Sequence, residues 1–278
     1  MEKKKLGIPE LQAMKGKGQR IRMVTAYDYP VARLVDQTEI EMILVGDSLG
    51  MVVLGYENTV PVTMEEMLHH SKAVVRGARN TFIVGDLPFM SYNVNIEQAV
   101  INAGRMLKEA GVDCVKLEGG VAFAPTVRAI VQAGIPVMAH IGLTPQTAAQ
   151  LGGFKVQGKD ASSAGRIIED ALALEEAGAF SMVLEAVPAP LAKLITQKIR
   201  IPTIGIGAGP DCDGQVLVTH DLVGLFDRFL PKFVKRYASV GAEITKALNS
   251  FAQEVQTGKF PGPEHSFAMK EEELARLR

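Results

Sequence analysis

The sequence predicts an α/β fold, a (β/α)8 TIM barrel with an N-terminal helical extension, and three observations carry that prediction. Eight short, β-branched runs follow one another from residue 21 onward: Ile21–Tyr27, Met42–Asp47, Thr81–Asp86, Cys114–Glu118, Pro136–His140, Ser181–Glu185, Thr203–Gly207 and Val216–Thr219. Segments with helical spacing lie between most of them, the alternation that builds a parallel sheet wrapped by helices. Three of those segments close on the same pair, at Ala110-Gly111, Ala133-Gly134 and Ala177-Gly178, each followed within two or three residues by an apolar run. Glycine suits that position because a helix commonly ends in a left-handed residue. A doubly wound open sheet is the alternative.

Taken in order, residues 1–20 read as a helical extension. After the second run, Leu49–Pro61 reads as a long loop with Gly50, Gly55 and Tyr56, either a lid over the barrel mouth or a surface excursion. Thr63-Met64-Glu65-Glu66 and Asn95-Ile96-Glu97-Gln98 read as capping boxes, and Thr144-Pro145 as a cap followed by proline in the first helical position. Residues 232–256 read as helical. Residues 257–278 form a C-terminal tail, in which Met269–Arg278 reads as a short exposed helix. No Ser/Pro/Gly-rich linker interrupts the chain, so residues 1–278 are expected to form a single domain.

Composition narrows the function classes. Of the 278 residues 47% are hydrophobic, enough for a core that needs no disulfides. The two cysteines, Cys114 and Cys212, exclude a disulfide scaffold and a cysteine-based zinc site, and favour a reducing compartment. With 30 Lys+Arg against 31 Asp+Glu there is no basic stripe for nucleic acid. Lys3, Lys4 and Lys5 are followed by no apolar stretch of signal-peptide type, and no run is long enough to span a bilayer. A cytoplasmic protein is the expectation.

The informative polar residues stand at the ends of the runs. Val45-Gly46-Asp47-Ser48 closes the second, Val84-Gly85-Asp86 the third, Lys116-Leu117-Glu118 the fourth, His140 the fifth and Glu185 the sixth. In a barrel all of these open onto the carboxyl-terminal face, where barrel enzymes do their chemistry. Lys116 and Glu118 are two apart and share a strand face, with Val115 and Leu117 on the other. A single acid after a strand is more often a turn residue. Acids recurring on successive strands would repel one another unless a cation joined them. Oxygen ligands favour a hard ion: Mg²⁺ first, with Mn²⁺ or Co²⁺ as substitutes. Such an ion could stabilise the enolate of a 2-keto acid, with Glu185 as the base that takes the proton. A Schiff-base aldolase using Lys116 is a rival, which Glu118 on the same face opposes by favouring the ammonium. A metal-dependent lyase or mutase acting on a 2-keto acid is another. Gly205–Gly209 is weak evidence for a phosphate loop, and adjacent His69 and His70 cannot chelate together on a helix.

Several ordered segments resemble the ketopantoate hydroxymethyltransferase family: Asp47–Val53, Gly85–Tyr92, Lys116–Gly120, His140–Gln146, Ile201–Gly209 and Phe260–Phe267. They run from about residue 20 to 267. The resemblance implies transfer of the methylene carbon of 5,10-methylenetetrahydrofolate to 3-methyl-2-oxobutanoate, giving 2-dehydropantoate in pantothenate synthesis. It implies that Asp47 and Asp86 bind Mg²⁺ directly and that Glu118 completes the metal site through water. It further implies that Ser48 and Lys116 hold the keto acid's carboxylate, that His140 lies near the new hydroxymethyl group and that Glu185 accepts the proton. A homodecamer is the assembly it implies. The chain departs from the family pattern at Ala186 and at Pro210-Asp211, positions given no chemical role.

Overall fold

The computed structural model describes residues 3–277. Eight parallel strands, β1 (Ile21–Thr25), β2 (Met42–Val45), β3 (Phe82–Asp86), β4 (Cys114–Glu118), β5 (Val137–Gly142), β6 (Ser181–Glu185), β7 (Thr203–Ile206) and β8 (Gly214–Leu217), close into a barrel in sequence order. Between and around them lie α1 (Ile8–Gly16), α2 (Tyr29–Asp36), α3 (Leu49–Val52), α4 (Met64–Gly77), α5 (Ile96–Arg105), α6 (Ala124–Gln132), α7 (Ala161–Glu176) and α8 (Ala189–Lys198). The (β/α)8 expectation holds.

Local chemistry starts the helices where the sequence places them. Thr63 Oγ1 accepts from Glu66 N while Glu66 Oε2 accepts from Thr63 N, so both arms of that capping box form. At α5 only the forward arm is present, Asn95 Oδ1 accepting from Gln98 N at 2.8 Å. Gly111, Gly134 and Gly178 all adopt positive φ, which is why glycine recurs after the helices. The Thr144-Pro145 signal starts only a 3₁₀ turn, Pro145–Thr147, whose tight winding turns Gln146 inward. α5 runs on into a π turn, Met106–Ala110.

Strand alternation sorts the interior. Ile21, Met23, Met42, Leu44, Phe82, Val84, Cys114, Met138, Val183, Ile204 and Val216 fill the lower barrel as one cluster. Lys116 and Glu118 follow on Cys114's side of β4, above that cluster. The floor is closed by Leu6, Ile8, Leu11 and Met14 of the N-terminal segment and α1. Leu11, 1% exposed, alone contributes about 2 kcal/mol by burial. Register then sets the polar residues side by side: Asp86 pairs with Lys116, Glu118 with His140, and Gly142 with Glu185.

Three expected boundaries move, each for a physical reason. β8 begins at Gly214 rather than Val216, because a side chain there would strike the Ile21 backbone and only glycine allows the β1 pairing. The long loop after β2 opens with the short α3, and its remainder is pinned where the Tyr56 hydroxyl donates to Glu66 Oε1 at 2.7 Å. The expected helix over 232–256 starts only at Val240. The amides of Tyr237 and Val240 donate to Leu222 and Val223 instead of to carbonyls four residues back.

The chain divides into two compact units, one running to Thr219 with Leu230–Val234, the other comprising His220–Phe229 and Lys235–Arg278. The first contains the barrel. The second carries α10 (Val240–Gln256) and α11 (Glu271–Ala275), linked by a 3₁₀ turn at Pro263–His265. In the sequence, α9 (Thr219–Leu222) covers the last residue before His220 and the first three residues of the second unit. No described helix is long and apolar enough to cross a membrane.

Candidate active site

The residues singled out at the strand ends converge at one end of the barrel. Asp47 and Ser48 follow β2, Asp86 ends β3, Lys116 and Glu118 lie in β4, His140 in β5, and Glu185 ends β6. Gly46 permits the approach of the ends of β2 and β3, since a β-carbon there would press on Ser48 Oγ and Asp86 Oδ2. The Asp47 amide donates to Asp86 Oδ2 at 3.1 Å, and Ser48 Oγ shares a 2.8 Å hydrogen bond with the Tyr27 hydroxyl.

Lys116 Nζ stands 2.8 Å from Asp86 Oδ1 and 3.3 Å from His140 Nδ1. His140 bridges two acids: Nδ1 is 3.3 Å from Glu118 Oε1, and Nε2 is 3.2 Å from Glu185 Oε2. Ala186, immediately after Glu185, has a positive φ of 47°, a left-handed conformation that costs a non-glycine residue about 1 kcal/mol. The turn is held by its amide donating to Ile206 O and its carbonyl accepting from Gln157 N, both 2.9 Å.

Burial dominates the electrostatics. It raises Asp47 well above the ordinary carboxylate range, reinforced by Asp86 and Glu118, and it raises Asp86 despite the neighbouring ammonium. Glu118 is also buried, yet the His140 imidazole and the Lys116 charge bring it below the ordinary value. Burial and Lys116 oppose charge on His140, but Glu118 and Glu185 outweigh them and push it up to about 9. Burial likewise opposes charge on Lys116, and Asp86, Glu118 and Asp47 reverse that, so it stays an ammonium. That state is unreactive towards a carbonyl and weighs against the Schiff-base reading.

Four carboxyl groups thus outnumber the one ammonium and one imidazolium by two, and Asp47 and Asp86 are the two that burial makes costly to ionise unaided, so a divalent cation beside them fits the donor set. Among the described residues no three His, Cys, Asp or Glu side chains stand in ligating geometry. A donor set of two carboxylates, the rest left to water and substrate, is the arrangement Mg²⁺ favours.

Two buried residues of the site escape a search for charge. Gln146 Nε2 donates to Asp47 Oδ2 at 2.9 Å and to Leu87 O at 3.0 Å, and its backbone amide donates to Glu118 Oε2 at 3.1 Å. The Tyr92 hydroxyl donates to Gln146 Oε1 at 2.6 Å and accepts from the Glu118 amide at 3.3 Å. Burial, with Glu118 nearby, raises Tyr92 well above its usual value and keeps it a donor. Both lie inside the segments that carry the family resemblance, which was their only signal. The two histidines of α4 stand outside this cluster, with His70 Nδ1 2.6 Å from Tyr27 O.

Comparison with known proteins gives a consistent picture. A family model described as ketopantoate hydroxymethyltransferase matches residues 5–263. A 3-methyl-2-oxobutanoate hydroxymethyltransferase of Heliobacterium modesticaldum is 67% identical, over 97% of this chain and 98% of its own. One from Moorella thermoacetica is 62% identical, over 96% and 99%. Among solved structures, a phosphoenolpyruvate phosphomutase from Streptomyces platensis subsp. rosaceus superposes with a TM-score of 0.62 at 16% identity, over 95% of this chain and 92% of that one. A phosphonopyruvate hydrolase in complex with oxalate and Mg²⁺ gives 0.61 at 13% identity, over 97% and 96%. At such identities these two speak for the fold alone.

Proposed function

The chain belongs to the ketopantoate hydroxymethyltransferase family, enzymes of pantothenate biosynthesis, and we propose that it forms 2-dehydropantoate by proton abstraction at C3 of 3-methyl-2-oxobutanoate with Glu185 as base. The observation that carries this reading is the contrast in exposure among the acids. The Glu185 side chain is 17% exposed and touches His140, whereas those of Asp86 and Glu118 are 3% exposed and engaged by Lys116 and His140. Glu185 is the acid that a substrate entering the mouth can reach.

Asp47 and Asp86 would hold Mg²⁺, Mn²⁺ or Co²⁺ being substitutes, with Glu118 behind them through water. When bound, the ion supplies Lewis-acid stabilisation of charge on the keto oxygen, an effect of several kcal/mol. Lys116 and Ser48 hold the substrate carboxylate, the first by charge and the second by its hydroxyl. Glu185 takes the C3 proton, and the imidazolium of His140, 3.2 Å away, fixes the orientation of that carboxylate. Water opens the methylene bridge of 5,10-methylenetetrahydrofolate, the co-substrate, to formaldehyde and tetrahydrofolate; C3 bonds the formaldehyde carbon, and the proton taken by Glu185 passes to the new alkoxide as the hydroxyl hydrogen.

The reading extends to assembly. Ile244, Leu248, Phe251 and Val255 are all 45% exposed or more and recur at helical spacing along α10, which buries no residue in the single chain. Such a stripe supports association with further copies of the chain, and a homodecamer is the form we propose. Sedimentation velocity checks it: a monomer at micromolar concentration would overturn it.

The chemistry is tested by proton–deuterium exchange at C3 of 3-methyl-2-oxobutanoate, followed by NMR. Exchange is expected with Mg²⁺ and without folate, and is expected to stop with EDTA. Glu185→Gln is expected to bind the keto acid and to leave its C3 proton in place; continued exchange would assign the base elsewhere.

A further inference from the structure

Gln146 makes four hydrogen bonds at the site, and together they determine how Asp47 can act. Its side-chain nitrogen faces the Leu87 carbonyl, which can only accept, and Asp47 Oδ2, while its oxygen faces the Tyr92 hydroxyl, which already accepts from the Glu118 amide. The amide therefore has one sensible orientation. Its backbone N–H and the Tyr92 hydroxyl both engage Glu118, so one residue after β5 ties together the ends of β2, β3 and β4. Among the described residues nothing hydrogen-bonds Asp47 Oδ1. One oxygen of this carboxylate is thus committed to the protein and the other is left open.

That asymmetry discriminates between cations. Ca²⁺ accepts six to eight oxygens and commonly takes both oxygens of a carboxylate, whereas Mg²⁺ demands an octahedron and takes carboxylates by a single oxygen. We propose that Gln146, oriented by Tyr92, is a positioning residue that restricts Asp47 to one-oxygen ligation and so sets the preference of the site for a small octahedral divalent cation over calcium. The proposal rests on the reading above that Asp47 and Asp86 hold the cation.

The test is direct metal binding to the full-length protein stripped with EDTA, by calorimetry for Mg²⁺ and Ca²⁺ and by the EPR signal of free Mn²⁺. Gln146→Met is expected to lower Mg²⁺ and Mn²⁺ affinity about ten- to a hundredfold, the usual range for a residue that orients a ligand, and to leave Ca²⁺ affinity unchanged or tighter. Tyr92→Phe, which keeps the amide and removes the proton that orients it, is expected to shift the Mg²⁺ to Ca²⁺ ratio less, in the same direction. Equal losses for the two ions, or an unchanged ratio, would overturn the proposal; if Gln146→Met fails to fold, an unchanged ratio in Tyr92→Phe does so alone. Asp47→Asn separates the two levels. Wild-type Mg²⁺ binding by that variant defeats the underlying reading, whereas lost binding there with an unchanged ratio in both other variants defeats only the role of Gln146.

Discussion

The two ends of the barrel both carry buried or half-buried ions, and they treat them in opposite ways. On the floor Asp213, Asp113 and Glu41 are each matched by a cation. Asp213 Oδ2 receives Lys15 Nζ at 2.9 Å together with the Thr203 amide and hydroxyl, while Lys15 also donates to the carbonyls of Thr196 and Ile201. Asp113 receives Lys5 at 2.6 Å, and Glu41 receives the amide and the guanidinium of Arg22. At the mouth the acids outnumber the cations, and two of them are pushed upward by burial. Ions that are locally balanced hold the fold closed; ions in surplus wait for a ligand. Substitutions at the two ends should therefore differ in kind.

The largest expected effect is on turnover. Asp86→Ala should lower kcat with Mg²⁺ about a thousandfold or more, the rate equivalent of several kcal/mol. A near-normal rate would take Asp86 out of the metal site and dissolve the contrast. The floor should respond in the other direction. Asp213→Ala leaves Lys15 without its acid and should cost about 3 kcal/mol in urea unfolding while kcat changes little.

The pH dependence sharpens the same contrast. His140 is pushed up to about 9, above its unfolded value of about 6.5, so its stabilising contribution is full below 6.5 and fades as pH rises through 9. With EDTA present, unfolding measured between these limits should show the wild type losing up to about 3 kcal/mol relative to His140→Gln. Asp47 is raised as well, so its contribution is present below the ordinary Asp range and is lost as pH rises through the raised value. Asp47→Asn should accordingly match the wild type near pH 4 and exceed it at pH 8. A parallel pair of curves would mean that Asp47 titrates normally. The smallest effect belongs to Ala186→Gly, where relief of the left-handed conformation is offset by a more flexible unfolded chain. Its unfolding free energy should change by less than about 1 kcal/mol.

What the sequence disclosed follows from the same electrostatics. Asp47, Asp86, Glu118 and Glu185 were legible because a charge ending an apolar run is conspicuous, and periodicity alone placed Lys116 and Glu118 on one face. Gln146 and Tyr92 carry no charge and lie outside the strands. Only a three-dimensional view shows that their hydrogen bonds end on the acids. The start of β8 at Gly214 was hidden because glycine has no strand propensity and earns its place by closeness to Ile21. The late start of α10 was hidden because amides in 237–240 find partners at 222–223, a contact with no local signature.

The register that pairs Asp86 with Lys116, Glu118 with His140 and Gly142 with Glu185 also constrains how this site can change over generations. Side chains alternate with a period of two, so inserting or deleting one residue inside β3 through β6 would turn the polar group beyond it from the lumen towards the helices. A one-residue change in strand length would thereby disable the site as surely as the loss of one of its side chains. A connection such as residues 149–156 carries no strand register, so a change of length there would leave the polar side chains between the strands in place.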